Sequence, residues 1–229
     1  MKPFLCLLVV LFSSIALAEP RDAALRLRHG AYAASAVAVS LESPPDGGIG
    51  WAITAHHVLK GGSAPIVLHT FDYDGDKPIQ YHEFPAKLYS AIPEHDLALL
   101  VVYANDTGGK WSPAVLAAED YRFSIHDQLT AYGCGGGRDP EMQKYLPVTH
   151  YKDRGFTAAV IVDDGIEKGR SGGPIFNSAG RVVGVASAST DRFDTFHAIV
   201  NVEGRGPGPI GLRNSGYYTP IDAIWELFK

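Results

Sequence analysis

Along most of this chain apolar residues come in short runs cut by clusters of glycine, proline and aspartate. Runs at 35–41, 50–55, 65–71, 81–89 and 97–103 are rich in β-branched and aromatic residues. Turn-forming stretches such as Pro44, Pro45, Asp46, Gly47, Gly48 and residues 72–78 lie between them. Short strands at this spacing predict an all-β barrel architecture. Residues 107–121 hold Gly108, Gly109 and Pro113 without a strong period, which predicts a crossover between two barrels. A second series follows at 128–132, 156–162, 173–177, 181–188, 197–202 and 216–220. Only residues 221–229 predict a helix. Residues 19–30 mix charge with Ala and Leu without a clear period and are expected to form an N-terminal arm or a short helix.

Residues 1–18 have a basic start at Lys2, an apolar core over 4–17 and the small-residue ending Ala16, Leu17, Ala18. That core falls short of the roughly 20 residues a membrane-spanning helix needs. It reads as a secretory signal peptide, cleaved to leave a mature chain of 19–229 with no membrane anchor, in a secreted or periplasmic location. Cys6 leaves with the leader and has no lipobox before it. Cys134 is then the only cysteine, so no internal disulfide forms even in an oxidising compartment. With Lys2 gone, 19 basic residues face 25 acidic ones, a net charge of about −6. No basic patch with interleaved aromatics occurs, which argues against a nucleic-acid partner.

The densest chemical signal is Gly169, Arg170, Ser171, Gly172, Gly173, Pro174. It sets a serine on a glycine-rich turn, where the N–H groups of Gly169 and Ser171 can converge on the negative charge of an attacked carbonyl. A serine hydroxyl is a weak nucleophile and needs a base, itself held in the right tautomer. Upstream, residues 51–59 read WAITAHHVL, and residues 95–100 read HDLALL, with Asp96 at the head of an apolar run. The order along the chain is His, Asp, Ser.

In these three motifs the sequence resembles the trypsin-like (chymotrypsin-fold) serine proteases, whose signatures are Thr-Ala-Ala-His, Asp-Ile/Leu-Ala-Leu and Gly-Asp/Asn-Ser-Gly-Gly-Pro. Residues 181–187 and 216–220, with Ile221 and Trp225, extend the likeness from about 30 to 229. The resemblance implies two six-stranded antiparallel β-barrels, about 30–110 and 120–220, and a C-terminal helix over 221–229, in a bacterial secreted type without a PDZ module. It implies a serine endopeptidase acting on protein or peptide substrates through an acyl-enzyme, with no cofactor and no metal. Ser171 would be the nucleophile, His57 the base, Asp96 its orienting partner, and Gly169 with Ser171 the oxyanion hole. Counting from Thr54 selects His57 over His56. Glu94 and His95 are the rivals of Asp96, which alone directly precedes the apolar run.

Arg170 stands where digestive relatives carry an aspartate that pairs with a freed N-terminus, and no Ile/Val-Val-Gly-Gly start occurs near Gly30, so that activation step is not expected. By the same likeness the pocket for the residue before the cleaved bond has its base at Gly165 and walls at Ser187, Ser189 and Gly216, which implies a preference for uncharged side chains. A one-residue shift would put Asp164 there and reverse it. Glutamate-specific relatives usually carry a histidine near Ala186, which this chain lacks. Asp72, Asp74 and Asp76 resemble part of a calcium loop, but they lack the remaining spacing and bidentate Glu, and a polar hairpin turn is the better reading. Gly133–Gly137, around Cys134, lacks the Lys-Ser/Thr of a phosphate cradle. The rival reading is a catalytically inactive homologue that binds peptides or a partner protein.

Overall fold

Leu97–Val102 and Gly50–Ala55 are buried at every position, so neither can be a strand with one wet face. They pair with each other from Gly50↔Val102 to Ala55↔Leu97 at the centre of a closed sheet. The computed structural model describes residues 19–229 except 61, 123–126, 154–155, 163–167, 190–196, 203–204 and 212–214. The residues of the expected leader therefore lie outside the described residues. In chain order the first barrel contains β1 (Ala24–His29), β2 (Tyr32–Val39), β3 (Gly50–Ala55), β4 (Ile66–Asp74), β5 (Lys77–Ile92) and β6 (Leu97–Val102). The hydrogen-bonded order is β1-β2-β3-β6-β5-β4, closed by β1 against β4.

The second barrel is built from β7 (Leu129–Gly133), β8 (Glu141–Asp153), β9 (Phe156–Val162), β10 (Pro174–Phe176) and β11 (Val182–Ser189). After β12 (His197–Val202) and β13 (Arg205–Gly211), β14 (Ser215–Pro220) completes it in the order β10-β11-β14-β9-β8-β7. The protein is all-β, with a single short α-helix among the described residues, α1 (Ile221–Trp225), near the C-terminus. That helix buries Ile221, Ala223 and Ile224, and Trp225 donates from Nε1 to the Ala117 carbonyl.

Three sequence expectations need correction. Residues 24–29 form a strand rather than an arm or helix, and only Pro20–Ala23 makes a 3-10 turn. Leu25 and Leu27 point into the core while Arg28 faces solvent, a period-two pattern too short to stand out until β2 and β4 pair on either side. The run at 197–202 pairs with 205–211 as a separate two-stranded ribbon outside the barrels. Strand β8 was not predicted at all. The crossover over 107–121 does join the barrels, through single bridges from Ala114 to Val39 and from Leu116 to Val182.

Arg26, His69 and Glu83 lie side by side across β1, β4 and β5. Arg26 Nε donates to His69 Nδ1 at 2.7 Å, so that nitrogen accepts and the imidazole is neutral, its other nitrogen 3.2 Å from Glu83. Burial, then the nearby Arg26 charge, push His69 down to about 4. The unfolded chain takes a proton near 6.5 that the folded protein refuses. Stability is therefore full above pH 6.5 and falls as pH drops from there toward about 4. Chemical denaturation across this range should show a loss on the order of 3 kcal/mol, largely removed in His69→Gln. An unchanged slope in that variant would contradict the assignment.

Candidate active site

The β3/β6 register ends at Ala55↔Leu97, so the residues just beyond each strand, His56–His57 and Asp96, are brought together at one end of the first barrel. His57 lies in a 3-10 turn (His56–Leu59), and Asp96 follows another (Pro93–His95) with left-handed φ 54° and ψ 39°. Aspartate tolerates that conformation better than most residues. It turns the carboxylate back over His57. Oδ1 accepts the His57 N–H at 2.8 Å, and Oδ2 lies 2.7 Å from His57 Nδ1. An ionised carboxylate can only accept, so Nδ1 carries the proton and Nε2 presents a lone pair. His56 instead donates its backbone N–H to the Asp96 carbonyl.

The second barrel supplies a third bond to Asp96. Ser187, on β11, donates from Oγ to Asp96 Oδ2 at 2.5 Å. Burial pushes Asp96 upward more than any other single influence, yet the bonds and charge of His57 and the Ser187 hydroxyl together hold it below its ordinary value. Ser187 was expected only as a pocket wall; its hydroxyl serves the carboxylate. Its carbonyl also accepts the Ser171 hydroxyl at 3.1 Å. The structure thus joins Ser171 to His57 and Asp96 through Ser187, with no direct Ser171–His57 hydrogen bond among the described residues. Neighbouring His95 is turned away, its Nε2 3.2 Å from Glu226, while its carbonyl accepts Thr219 Oγ1.

The loop around Ser171 is held by its carbonyls. Lys168 O accepts from Gly136 N–H at 2.6 Å, Arg170 O from Gly173 N–H at 2.9 Å, and Ser171 O from Ser35 N–H at 2.9 Å. Gly169 O accepts the Ser35 hydroxyl at 2.8 Å. The N–H groups of Gly169 and Ser171 make no hydrogen bond to another described residue. Glycine is required at Gly169 and Gly172, where φ is +96° and +88°. A Cβ on Gly169 would overlap the Cys134 carbonyl, and one on Gly172 the Ser35 carbonyl and Thr54 Oγ1. Arg170 is 5% exposed and braces the loop sideways, donating to the Glu141 carbonyl and carboxylate at 3.1 Å each.

The remaining expected residues fall differently. Gly165 and Asp164 lie outside the described residues. Ser189 and Gly216 are cross-strand partners in the β11/β14 ladder. Cys134 is fully buried, and burial pushes its thiol up to about 12, which leaves it unreactive. The acidic hairpin has other partners: Asp72 bonds His82 Nε2 at 2.8 Å, and Asp76 bonds Arg21 at 3.2 Å. Among the described residues no three His, Cys, Asp or Glu side chains converge to hold a metal ion. The sequence reading missed Ser35, whose only mark is a polar residue inside the apolar stretch AASAVAV.

Known proteins match this chain in sequence and in fold. A "Probable periplasmic serine endoprotease DegP-like" of Brucella suis is 28% identical over 142 residues, 61% of this chain and 25% of that protein. Its counterpart in Rhizobium meliloti is 31% identical over 142 residues, 61% of this chain and 26% of that protein. The chain thus spans about a quarter of the length of these curated relatives. Among solved structures, the active form of Rv3671c protease from M. tuberculosis superposes with a TM-score of 0.62 at 20% identity, covering 91% of this chain and 80% of that one. The profile of the trypsin-like peptidase domain matches residues 34–185. Two antiparallel barrels and a family profile spanning most of their strands lead to one assignment: the chain belongs to the trypsin-like peptidase domain family.

Proposed function

We propose that this protein is a secreted or periplasmic serine endopeptidase in which Ser171 attacks, His57 moves the proton and Asp96 holds His57. The observation that carries this reading is the His57 ring, fixed by Asp96 in the tautomer that leaves Nε2 basic. With substrate bound, the Ser171 hydroxyl leaves the Ser187 carbonyl and gives its proton to His57 Nε2 as Oγ bonds the peptide carbonyl carbon. The carbonyl oxygen takes the negative charge, facing the N–H groups of Gly169 and Ser171. His57 then protonates the departing amine as the C–N bond breaks, leaving an acyl-Ser171 ester. Water, deprotonated by His57, hydrolyses the ester and restores Ser171.

The leader pattern of residues 1–18 and the periplasmic names of the relatives support a location outside the cytoplasm. Among the described residues no helix is long and apolar enough to cross a membrane. A pocket based on Gly165 would favour uncharged side chains before the cleaved bond. One observation favours the inactive, peptide-binding alternative: the Ser171 hydroxyl is bonded to Ser187 and not to His57. Incubation with an unfolded protein separates the two. Fragments from the wild type and none from Ser171→Ala support the peptidase, whereas saturable peptide binding without cleavage supports the alternative. Cleavage dominated by Arg or Lys would overturn the uncharged pocket.

A further inference from the structure

Ser35 belongs to the first barrel, yet its strongest ties are to the Ser171 loop of the second. It is fully buried on β2. The β2/β3 pairing runs from Val37↔Ile53 to Val39↔Trp51 and so starts two residues past Ser35. Its N–H is given to the Ser171 carbonyl at 2.9 Å, and its carbonyl accepts Thr54 Oγ1 at 2.7 Å. Its hydroxyl donates to Gly169 O and accepts the Cys134 N–H, each at 2.8 Å. One residue thus holds the carbonyls on both sides of Arg170 and the start of the glycine segment that in turn holds Lys168 O.

We propose that Ser35 is a positioning residue for the oxyanion hole: its hydroxyl fixes the Gly169 carbonyl and so keeps the N–H groups of Gly169 and Ser171 aimed at one point. This rests on the peptidase reading above. The Gly169 carbonyl shares its peptide plane with the Arg170 N–H, and that plane lies between the two that carry the Gly169 and Ser171 N–H groups, so freeing it lets both neighbouring planes rotate. Donors of this kind act on charge that exists only in the transition state, so their misplacement lowers turnover rather than substrate binding.

The test compares wild type, Ser35→Ala and Val37→Ala on a peptide that the wild type cleaves. Val37 is buried on the same strand and bonds nothing in the loop, so its variant controls for lost stability. Ser35→Ala should lower kcat about 10- to 100-fold with KM within about threefold. Affinity for a peptide aldehyde, whose adduct places an oxygen in the hole, should fall in step, while affinity for the cleaved product peptide stays constant. Val37→Ala should lower Tm and leave kcat unchanged. If Ser35→Ala does not fold, Ser35→Cys keeps the branch length with a somewhat larger atom and only a weak donor, and should show the same split. Wild-type kcat in the Ser35 variant, or equal losses for aldehyde and product peptide, would overturn the role of Ser35. A wild type that fails to cleave any peptide and resists fluorophosphonate would overturn the peptidase reading beneath it.

Discussion

Ser171→Ala should abolish peptidase activity, with turnover falling on the order of 10⁶-fold, because it deletes the atom that in the proposed mechanism bonds the substrate carbon. His57→Ala should be similarly severe and Asp96→Asn should cost on the order of 10⁴-fold, since an amide can donate to Nδ1 and so favour the wrong tautomer. His56→Ala should be mild, as only its backbone bonds Asp96. All variants should keep the wild-type fold by circular dichroism. An inactive His56→Ala beside an active His57→Ala would mean that the wrong histidine has been assigned.

Gly172→Ala should be among the most damaging single methyl additions at the described glycines. At φ +88° an alanine is strained, and its Cβ would overlap the Ser35 carbonyl and Thr54 Oγ1, both in the first barrel. Neither atom can retreat, because the Thr54 hydroxyl donates to that same carbonyl across buried strands. The backbone strain and overpacking together should cost roughly 3–5 kcal/mol. In a chain of this size that corresponds to a Tm fall on the order of 10 °C. Activity should drop with it, because the displaced segment carries Ser171. A variant with wild-type Tm and turnover would show that the barrels do not meet as closely at this point as the structure has them.

What the sequence made legible follows from how local each feature is. The buried run Leu97–Val102 and its partner Gly50–Ala55 are apolar throughout, so their strands are evident without knowing their neighbours. The Ser171 turn is legible because glycines with positive φ are hard to replace. Strand β1 was hidden because its alternation spans only Leu25 to Arg28 and its pairing with β4 comes from residues some forty positions away. The ribbon of β12 and β13 holds Gly206, Pro207, Gly208 and Pro209, residues that read as loop, and only the facing strand reveals it. The stretch that holds Ser187 marks it only as a pocket wall, and Ser35 carries no motif at all. Their importance comes from contacts with Asp96 across 91 positions and with Gly169 across 134, which no local pattern encodes.

The central claim is that Ser171 is a nucleophile activated by His57, and covalent labelling tests it without requiring the natural substrate. The protein is treated with a fluorophosphonate, which reacts with an activated serine, and the adduct is located by mass spectrometry. The account predicts one adduct per chain, on Ser171, absent from Ser171→Ala, nearly absent from His57→Ala and formed normally in His56→Ala. No adduct on the native wild type, or an adduct on another residue, would contradict it.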